Sequence, residues 1–471
     1  MLVRWWNIWA ELSGTPEELA WARAKLTFEL ARGRTGKRSE CLVLATRPLF
    51  PAGWVRPLVG AARREGVRLV LRDERRRPCG LDPAAPIGWL HQHQRDAIRA
   101  IDQYGQGMVD HPVGSGKGEL IVACPLAFPC RWGLFLQDAA LVEQLAERFG
   151  KRAPPGTPPV GIVWRDTWRV GERLTIISIQ TLDQQWRPDL GSWSPQAKQL
   201  LESLEGIEVD ECHGSSSATA IRQLRSTPRA WYRVGFSATV RGRSDKRDHV
   251  TQGHFGPVIC RVEPAELEAQ GRISSGQVIM VRVQQDQIPP FQEGGYQAGI
   301  VRSRARNQQV LELIRQAPKP TLWFVEEIEH GEILLGLCRQ AGLRAVFVQG
   351  ETPDPLKRQL QRELDLGAVE VGIATNTWKQ GIDIVHLRSG GTAAGKKSII
   401  LAEQRRGRTV RACQVRTCQV CARDGQKRTF VWYDLYDQAP HRPGQKPHWL
   451  ELQSRARYRT YQDKGQQVVM R

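Results

Sequence analysis

HPVGSGKG, residues 111–118, followed at once by the apolar run ELIVACPLA over 119–127, is the stretch that decides the fold. Glycines 114 and 116 let the backbone of Val113, Gly114, Ser115, Gly116 and Gly118 bend so that its N–H groups face a phosphate, with Lys117 reaching the outer phosphate oxygens. The apolar run predicts a helix starting at that point. A phosphate loop feeding a helix opens an α/β domain built on a parallel sheet. Two positions depart from the usual pattern. His111 stands where glycine is common, and Gly118 stands where a Ser or Thr supplies a hydroxyl to magnesium.

Working outward, GIEVDECH (206–213) ends an apolar strand in Asp210, Glu211 and His213, at the carboxyl edge where open α/β sheets bind ligands. Asp210 suits magnesium, held through water, and Glu211 suits the orientation and deprotonation of an attacking water. GFSAT (235–239) places the hydroxyls of Ser237 and Thr239 after another strand, in a position to form a hydrogen-bond relay with His213. Further on, QRRGRTVR (404–411) carries Gln404 and Arg405 as coupling residues, with Arg408 and Arg411 three apart on one helical face. Guanidinium groups there match the charge that spreads over a transferring phosphoryl group, which makes Arg408 and Arg411 candidate arginine fingers. A basic helix gripping nucleic acid is the other reading of that segment.

Candidate strands alternate with helical segments on both sides of these motifs: GLFLQ, LTIISIQ, GIEVDE and RVGFSAT, then TLWFVE, RAVFVQG and EVGIATN. Two parallel sheets are expected, separated by the polar stretch Gln284–Gln297. Ahead of them, TPEELAWARAKLTFEL (15–30) reads as a capped helix, CLVLA (41–45) as a strand, GWVRPLVGAARREG (53–66) as a helix and VRLVLRD (67–73) as a strand. These give a small N-terminal α/β module over 1–88, ending in the linker PAAPIG. The expected boundaries are 1–88, 89–270 and 271–471.

Length and composition suit a multidomain globular protein: 471 residues, 41% hydrophobic and 25% charged. The net charge of +19 is uneven along the chain. Residues 1–88 hold 16 Lys/Arg against 9 Asp/Glu and residues 396–471 hold 17 against 6, whereas 89–395 are near balance at 35 against 34. Basic ends around a neutral middle fit ends that grip a polyphosphate. No apolar run is long enough to span a membrane, and the N-terminus lacks a signal-peptide layout, so a cytoplasmic protein is expected. Ten scattered cysteines form no disulfide framework.

On these motifs the chain resembles superfamily-two helicases, in particular the UvsW-type phage helicases and XPB-type repair translocases, over about residues 88–411. LHQHQRDAI (90–98) is similar to the family's adenine-side motif, with Gln94 in the matching place, and IISIQTL (176–182) is similar to a strand-contacting motif containing Gln180 and Thr181. FGPVICRVEPAELEAQGRIS (255–274) resembles the passage between the two motor domains. WFVEEIEHG (323–331) and QGETPDPLKRQ (349–359) resemble motifs of the second domain, the latter placing Gly350 at the nucleic-acid backbone. IATNTWKQGIDI (373–384) resembles the fifth motif, which implies Thr375 and Thr377 at the tracking strand and Gly381 and Asp383 at the nucleotide.

The resemblance implies two tandem RecA-like domains with an N-terminal accessory module that binds DNA. It implies an ATP- and magnesium-dependent DNA helicase or translocase working on branched DNA in recombination, replication or repair. DECH together with Gln404 departs from the DEAD-box RNA-helicase pattern, which favours DNA as the track. An RNA helicase and an ATP-gated binding protein that does not hydrolyse, the latter motivated by Gly118, stay open as alternatives.

Two features fall outside this scheme. Cys413, Cys418 and Cys421 form C-x4-C-x2-C, a spacing that holds zinc if His441 or His448 supplies a further ligand. Sixteen tryptophans, several beside arginine as in RWW (4–6) and RDTWR (165–169), offer stacking surfaces for bases, with packing as the simpler use.

Overall fold

Short β-branched and aromatic runs become the strands of two large sheets, and the amphipathic segments between them become the helices covering both faces. The computed structural model describes residues 1–30, 38–137, 141–238, 247–285, 294–375, 384–395, 418–424, 429–438, 447–463 and 466–471. Two compact units result, Met1–Pro112 with Gly116–Val262, and Glu263–Arg471 with Val113–Ser115.

In the first unit, β1 (Gln106–Asp110), β2 (Trp132–Leu136), β3 (Gly161–Trp164), β4 (Thr167–Arg169), β5 (Leu174–Ser178), β6 (Gly206–Asp210), β7 (Tyr232–Ser237) and β8 (Val258–Arg261) make an eight-stranded sheet. Its order is β4, β3, β5, β2, β6, β7, β1, β8, and every pair is parallel except the edge hairpin β3–β4. Strands β2, β5 and β7 are buried along their whole length; β2 (WGLFL) accordingly reads as a continuous apolar run, whereas β5 and β7 bury the polar Thr175 and Arg233. One face packs Ile98, Ile101, Leu120, Val122, Leu145 and Phe149, and the other packs Leu182, Leu200, Leu201 and Phe255.

Register in this sheet positions the motifs. Asp210 on β6 lies beside Phe236 on β7, and Ser237 on β7 lies beside Asp110 on β1. The phosphate loop leaves the end of β1, so three motifs up to 127 residues apart in sequence meet at one carboxyl edge.

In the second unit, β9 (Ser275–Gln284), β10 (Thr321–Phe324), β11 (Ala345–Val348), β12 (Val371–Ala374), β13 (Ser389–Thr392), β14 (Thr429–Gln438) and β15 (Gln467–Met470) form an all-parallel sheet in the order β11, β12, β10, β13, β14, β9, β15. Two buried ion pairs anchor it. Arg306 meets Asp437 at 2.9 Å, and Arg457 meets Asp434 at 3.0 Å, with the Tyr461 hydroxyl donating to Asp434 at 2.9 Å. The polar stretch Gln284–Gln297 does not separate the sheets as the sequence suggested. The change of sheet falls between Arg261 and Ser275, because β9 already pairs with β14 and β15.

The N-terminal module holds a four-stranded sheet in the order Leu49–Pro51, Trp9–Ser13, Leu2–Trp5, Val70–Asp73. Helix Pro16–Lys25 starts at Thr15 with a complete capping box to Glu18, and helix Val55–Arg64 buries Val55, Leu58 and Ala62. The expected strand at CLVLA is displaced. Only Ser39–Cys41 pairs, with Thr27–Glu29, and beyond it the backbone turns so that Leu42 N–H bonds Leu26 O and Leu44 N–H bonds Leu49 O.

This module is built into the first unit by direct contacts. Asn7 Nδ2 donates to Pro228 O and Gln106 Nε2 donates to Asn7 O, both at 2.9 Å, while Arg56 bonds the Gln106 carbonyl. Trp54 Nε1 donates to His249 O at 2.9 Å, and Phe28 stacks on the His249 ring at 4.8 Å. Arg225 lies over Trp9 at 4.6 Å across this contact, and within the module Arg75 lies over Trp5 at 3.3 Å. Among the described residues no helix is long and apolar enough to cross a membrane.

Candidate nucleotide site

The loop after β1 turns on Gly114 and Gly116, with φ of +89° and +81°, in the left-handed region that side chains rarely adopt. Helix Lys117–Ala127 begins directly behind it, so its first N–H groups are presented at the loop. Gly116 must be glycine for a second reason. Added there, a Cβ would stand 2.5 Å from Gln94 Nε2. Gln94 is buried and ties two segments together, accepting from His91 N–H at 2.9 Å and donating to Gly116 O at 3.1 Å.

Lys117 Nζ lies under the loop, donating to His111 O at 3.1 Å and Pro112 O at 3.5 Å. His111, the departure at the start of the motif, is wholly buried. Its N–H extends the ladder to Ser237 O at 3.2 Å, and its ring packs 5.6 Å from that of His93, with Nε2 3.5 Å from Cys260 Sγ. Burial, with His93 and Lys117 nearby, pushes its pKa down to about 3, so the imidazole is neutral.

At the end of β6, burial and the Glu211 carboxylate raise Asp210 to about 6, opposed by Lys117. Glu211 adopts φ +52°, an uncommon conformation for a residue with a Cβ, at the start of the short 3-10 turn Cys212–Gly214. Its Oε2 lies 3.3 Å from His213 Nδ1 and accepts from Ser237 Oγ at 3.4 Å, and His213 Nδ1 lies 3.1 Å from Ser237 Oγ. The structure thus brings Glu211, His213 and Ser237 into one triangle.

Two carboxylates, an ammonium and loop amides form a hard donor set suited to magnesium and phosphate oxygens. Asp210 would hold the ion, which would supply charge neutralisation at the phosphates. Gly118 offers no hydroxyl to it. Arg148, from helix Leu141–Arg152, brings its guanidinium to the place a residue-118 Cβ would occupy, and pairs with Glu119 at 3.6 Å. Sequence reasoning missed Arg148, as it did His93, because neither belongs to a motif and both arrive by tertiary packing.

Gln180 and Thr181 sit on the short helix Ile179–Asp183 at the same carboxyl edge. Gln180 Nε2 donates to Gln137 O at 2.8 Å, and Thr181 Oγ1 accepts from Arg165 N–H at 3.1 Å. In the second unit Gly350 follows β11 and accepts from Lys357 Nζ at 3.1 Å, while Thr375 follows β12 with its N–H on Val348 O at 3.1 Å. Thr239, Thr377, Gly381, Asp383, Gln404, Arg405, Arg408, Arg411 and Cys413 lie outside the described residues, as does His441.

Residues 88–242 match the family described as Type III restriction enzyme, res subunit, and residues 305–413 match the Helicase conserved C-terminal domain. The chain belongs to the superfamily-two helicases, a family of nucleic-acid-unwinding ATPases that use ATP and magnesium. It is 22% identical over 351 residues to a putative helicase of Sulfolobus islandicus filamentous virus, covering 69% of this chain; it spans 62% of that relative's length. Among solved structures, S. cerevisiae Dbp5 bound to RNA and ADP BeF3 aligns over 80% of this chain and 89% of its own, at TM-score 0.50 and 14% identity. T4 UvsW aligns over 100% of this chain and 98% of its own, at TM-score 0.45 and 16% identity. The Dbp5 likeness supports the tandem RecA-like fold.

Proposed function

We propose that this protein is a DNA helicase or translocase of the UvsW-type branch, coupling ATP hydrolysis to unwinding, annealing or branch migration in recombination, replication or repair. The carrying observation is the meeting of Lys117, Asp210, Glu211, His213 and Ser237 at one sheet edge. In this reading Lys117 holds the outer phosphates, Asp210 holds magnesium, and Glu211 orients water and takes its proton. Ser237 and His213 sense the state of Glu211 and pass it toward the strand-contacting residues Gln180, Thr181, Gly350, Thr375 and Thr377. Arg408 and Arg411 meet the transition-state charge, with Gln404 and Arg405 coupling them to the track and Gly381 and Asp383 at the nucleotide. DNA as the track rests on the DECH sequence together with Gln404.

The test is phosphate release by the full chain with single-stranded, duplex and forked DNA and with RNA. DNA, and forked DNA above all, is expected to stimulate turnover. Lys117→Ala and Glu211→Gln should each lower stimulated turnover at least ~10²-fold, the scale of losing a positioned acid–base or phosphate contact, with DNA binding retained. Normal turnover in either variant would sink the site assignment, and stimulation by RNA alone would replace the track. Absence of turnover in the wild type, with ATP-dependent DNA affinity, would favour the ATP-gated binder that Gly118 motivates.

A further inference from the structure

We infer that the second unit holds a thiolate metal site formed by His386, Cys418 and Cys421, taking zinc. One ligand atom from each of these residues lies within 4.8 Å of the others. His386 Nε2 is 3.2 Å from Cys418 Sγ. Ligands of a tetrahedral zinc, with Zn–S of about 2.3 Å and Zn–N of about 2.0 Å, stand roughly 3.4–3.8 Å apart, so the three atoms need only small adjustments to share one ion. Cys418 and Cys421 have the C-x2-C spacing that puts two thiolates on one metal, with Cys421 in the short helix Gln419–Asp424 just after Cys418.

His386 lies next to a carboxylate. Asp365 Oδ1 lies 3.1 Å from its Nδ1 and also accepts from its backbone N–H at 2.9 Å. The Asp365 carboxylate stands beside Nδ1 without hydrogen-bond geometry to it, and Nε2 is the ring atom that faces Cys418. Two sulfurs and an imidazole select zinc over magnesium or calcium. The sequence pointed to His441 or His448 as partner of the cysteines. His448 instead accepts from Leu450 N–H at 3.5 Å, at the start of helix Trp449–Asp463, and among the described residues His386 is the histidine beside the two thiols.

The two sides of the site are 32 positions apart, and the sequence between them contains QRRGRTVR. The site itself does not rest on the arginine-finger reading above.

The experiment is metal analysis of the full chain purified from zinc-supplemented medium, with cobalt exchanged into the wild type for spectroscopy. About one zinc per chain is expected, and the cobalt form should show thiolate charge-transfer absorption and tetrahedral d–d bands. Cys418→Ser with Cys421→Ser should abolish both. His386→Ala should weaken binding and remove a nitrogen from the metal's coordination. Lys117→Ala should lose turnover yet keep its zinc, so normal turnover in that variant would count against the motor reading while leaving the metal site untouched. A wild type without zinc, a cobalt spectrum lacking the thiolate band, or zinc undiminished in the double cysteine variant would overturn the inference.

Discussion

Gly118 is the position where a single atom decides most. With Arg148 at its Cα, the first turn of the phosphate-loop helix carries a cation where its relatives by motif carry a hydroxyl. The guanidinium is the far end of a flexible chain, partly exposed, so it can swing aside for a larger residue. Gly118→Ser should therefore fold normally and lower the magnesium concentration needed for half-maximal ATPase by about tenfold, the worth of one charge-assisted contact of about 1.4 kcal/mol. An unchanged magnesium titration would show that residue 118 does not face the ion. Asp210 gives a second prediction, on stability. Its pKa is raised from 3.8 to about 6, so the folded protein binds the proton more tightly than the unfolded chain does. That advantage is complete below about pH 4, is lost as pH rises to about 6, and leaves a charged, poorly solvated carboxylate above it. In melts without magnesium, Asp210→Asn should raise Tm by roughly 2–4 °C at pH 8, with the gain vanishing toward pH 4. A Tm difference independent of pH would mean that the carboxylate charge is not the cause.

Among elements, the N-terminal module is held by backbone approach as much as by side chains. A Cβ on Gly53 would press on the backbone of helix Asp248–Phe255, 2.6 Å from Gly256 N and 2.8 Å from Gly253 O, as well as against Gln252 O. Backbone cannot step aside as a side chain can, so Gly53→Ala should cost about 1–3 kcal/mol in urea unfolding and expose the module to early proteolysis. Wild-type stability in this variant would show that the module is only loosely attached. This contact was invisible in the sequence, where GWVRPLVG reads only as the start of a helix. By contrast the strands ending in Asp210 and Ser237 were legible, because each is short and mostly apolar with the motif at its end, although each also buries a charged residue, Glu208 and Arg233. Strand β9 was passed over although QVIMVRV is apolar enough, since the polar stretch behind it looked like the division between sheets, and only pairing with β14, some 150 residues on, reveals its place. The candidate site divides the same way. Lys117, Asp210 and Glu211 are spelled out by local motifs, whereas Arg148 and His386 reach their partners from distant segments that no spacing rule connects.

For the whole molecule, the uneven charge makes a claim that can be measured. Burial takes several basic residues of the N-terminal module out of play as phosphate contacts, since Arg75 packs between Asp73 and Trp5 and Arg56 bonds Gln106. Others remain exposed: Arg63 and Arg64 in the last turn of helix Val55–Arg64, then Arg68 and Arg76. If these grip the DNA backbone, each releases condensed counterions on binding, and the slope of log K against log salt steepens by about 0.9 per phosphate on duplex and about 0.7 on single strands. Changing all four to Gln should make the duplex slope shallower by about 3.6 while leaving the ATPase of the already bound protein within about twofold. The sign separates two roles of the same residues. Charges kept only for solubility would change aggregation and leave the slope alone, because they contact no phosphate. An unchanged slope would therefore assign the module to bracing the first unit through Gly53, Trp54 and Asn7, and would move the grip to the basic stretch beyond residue 396.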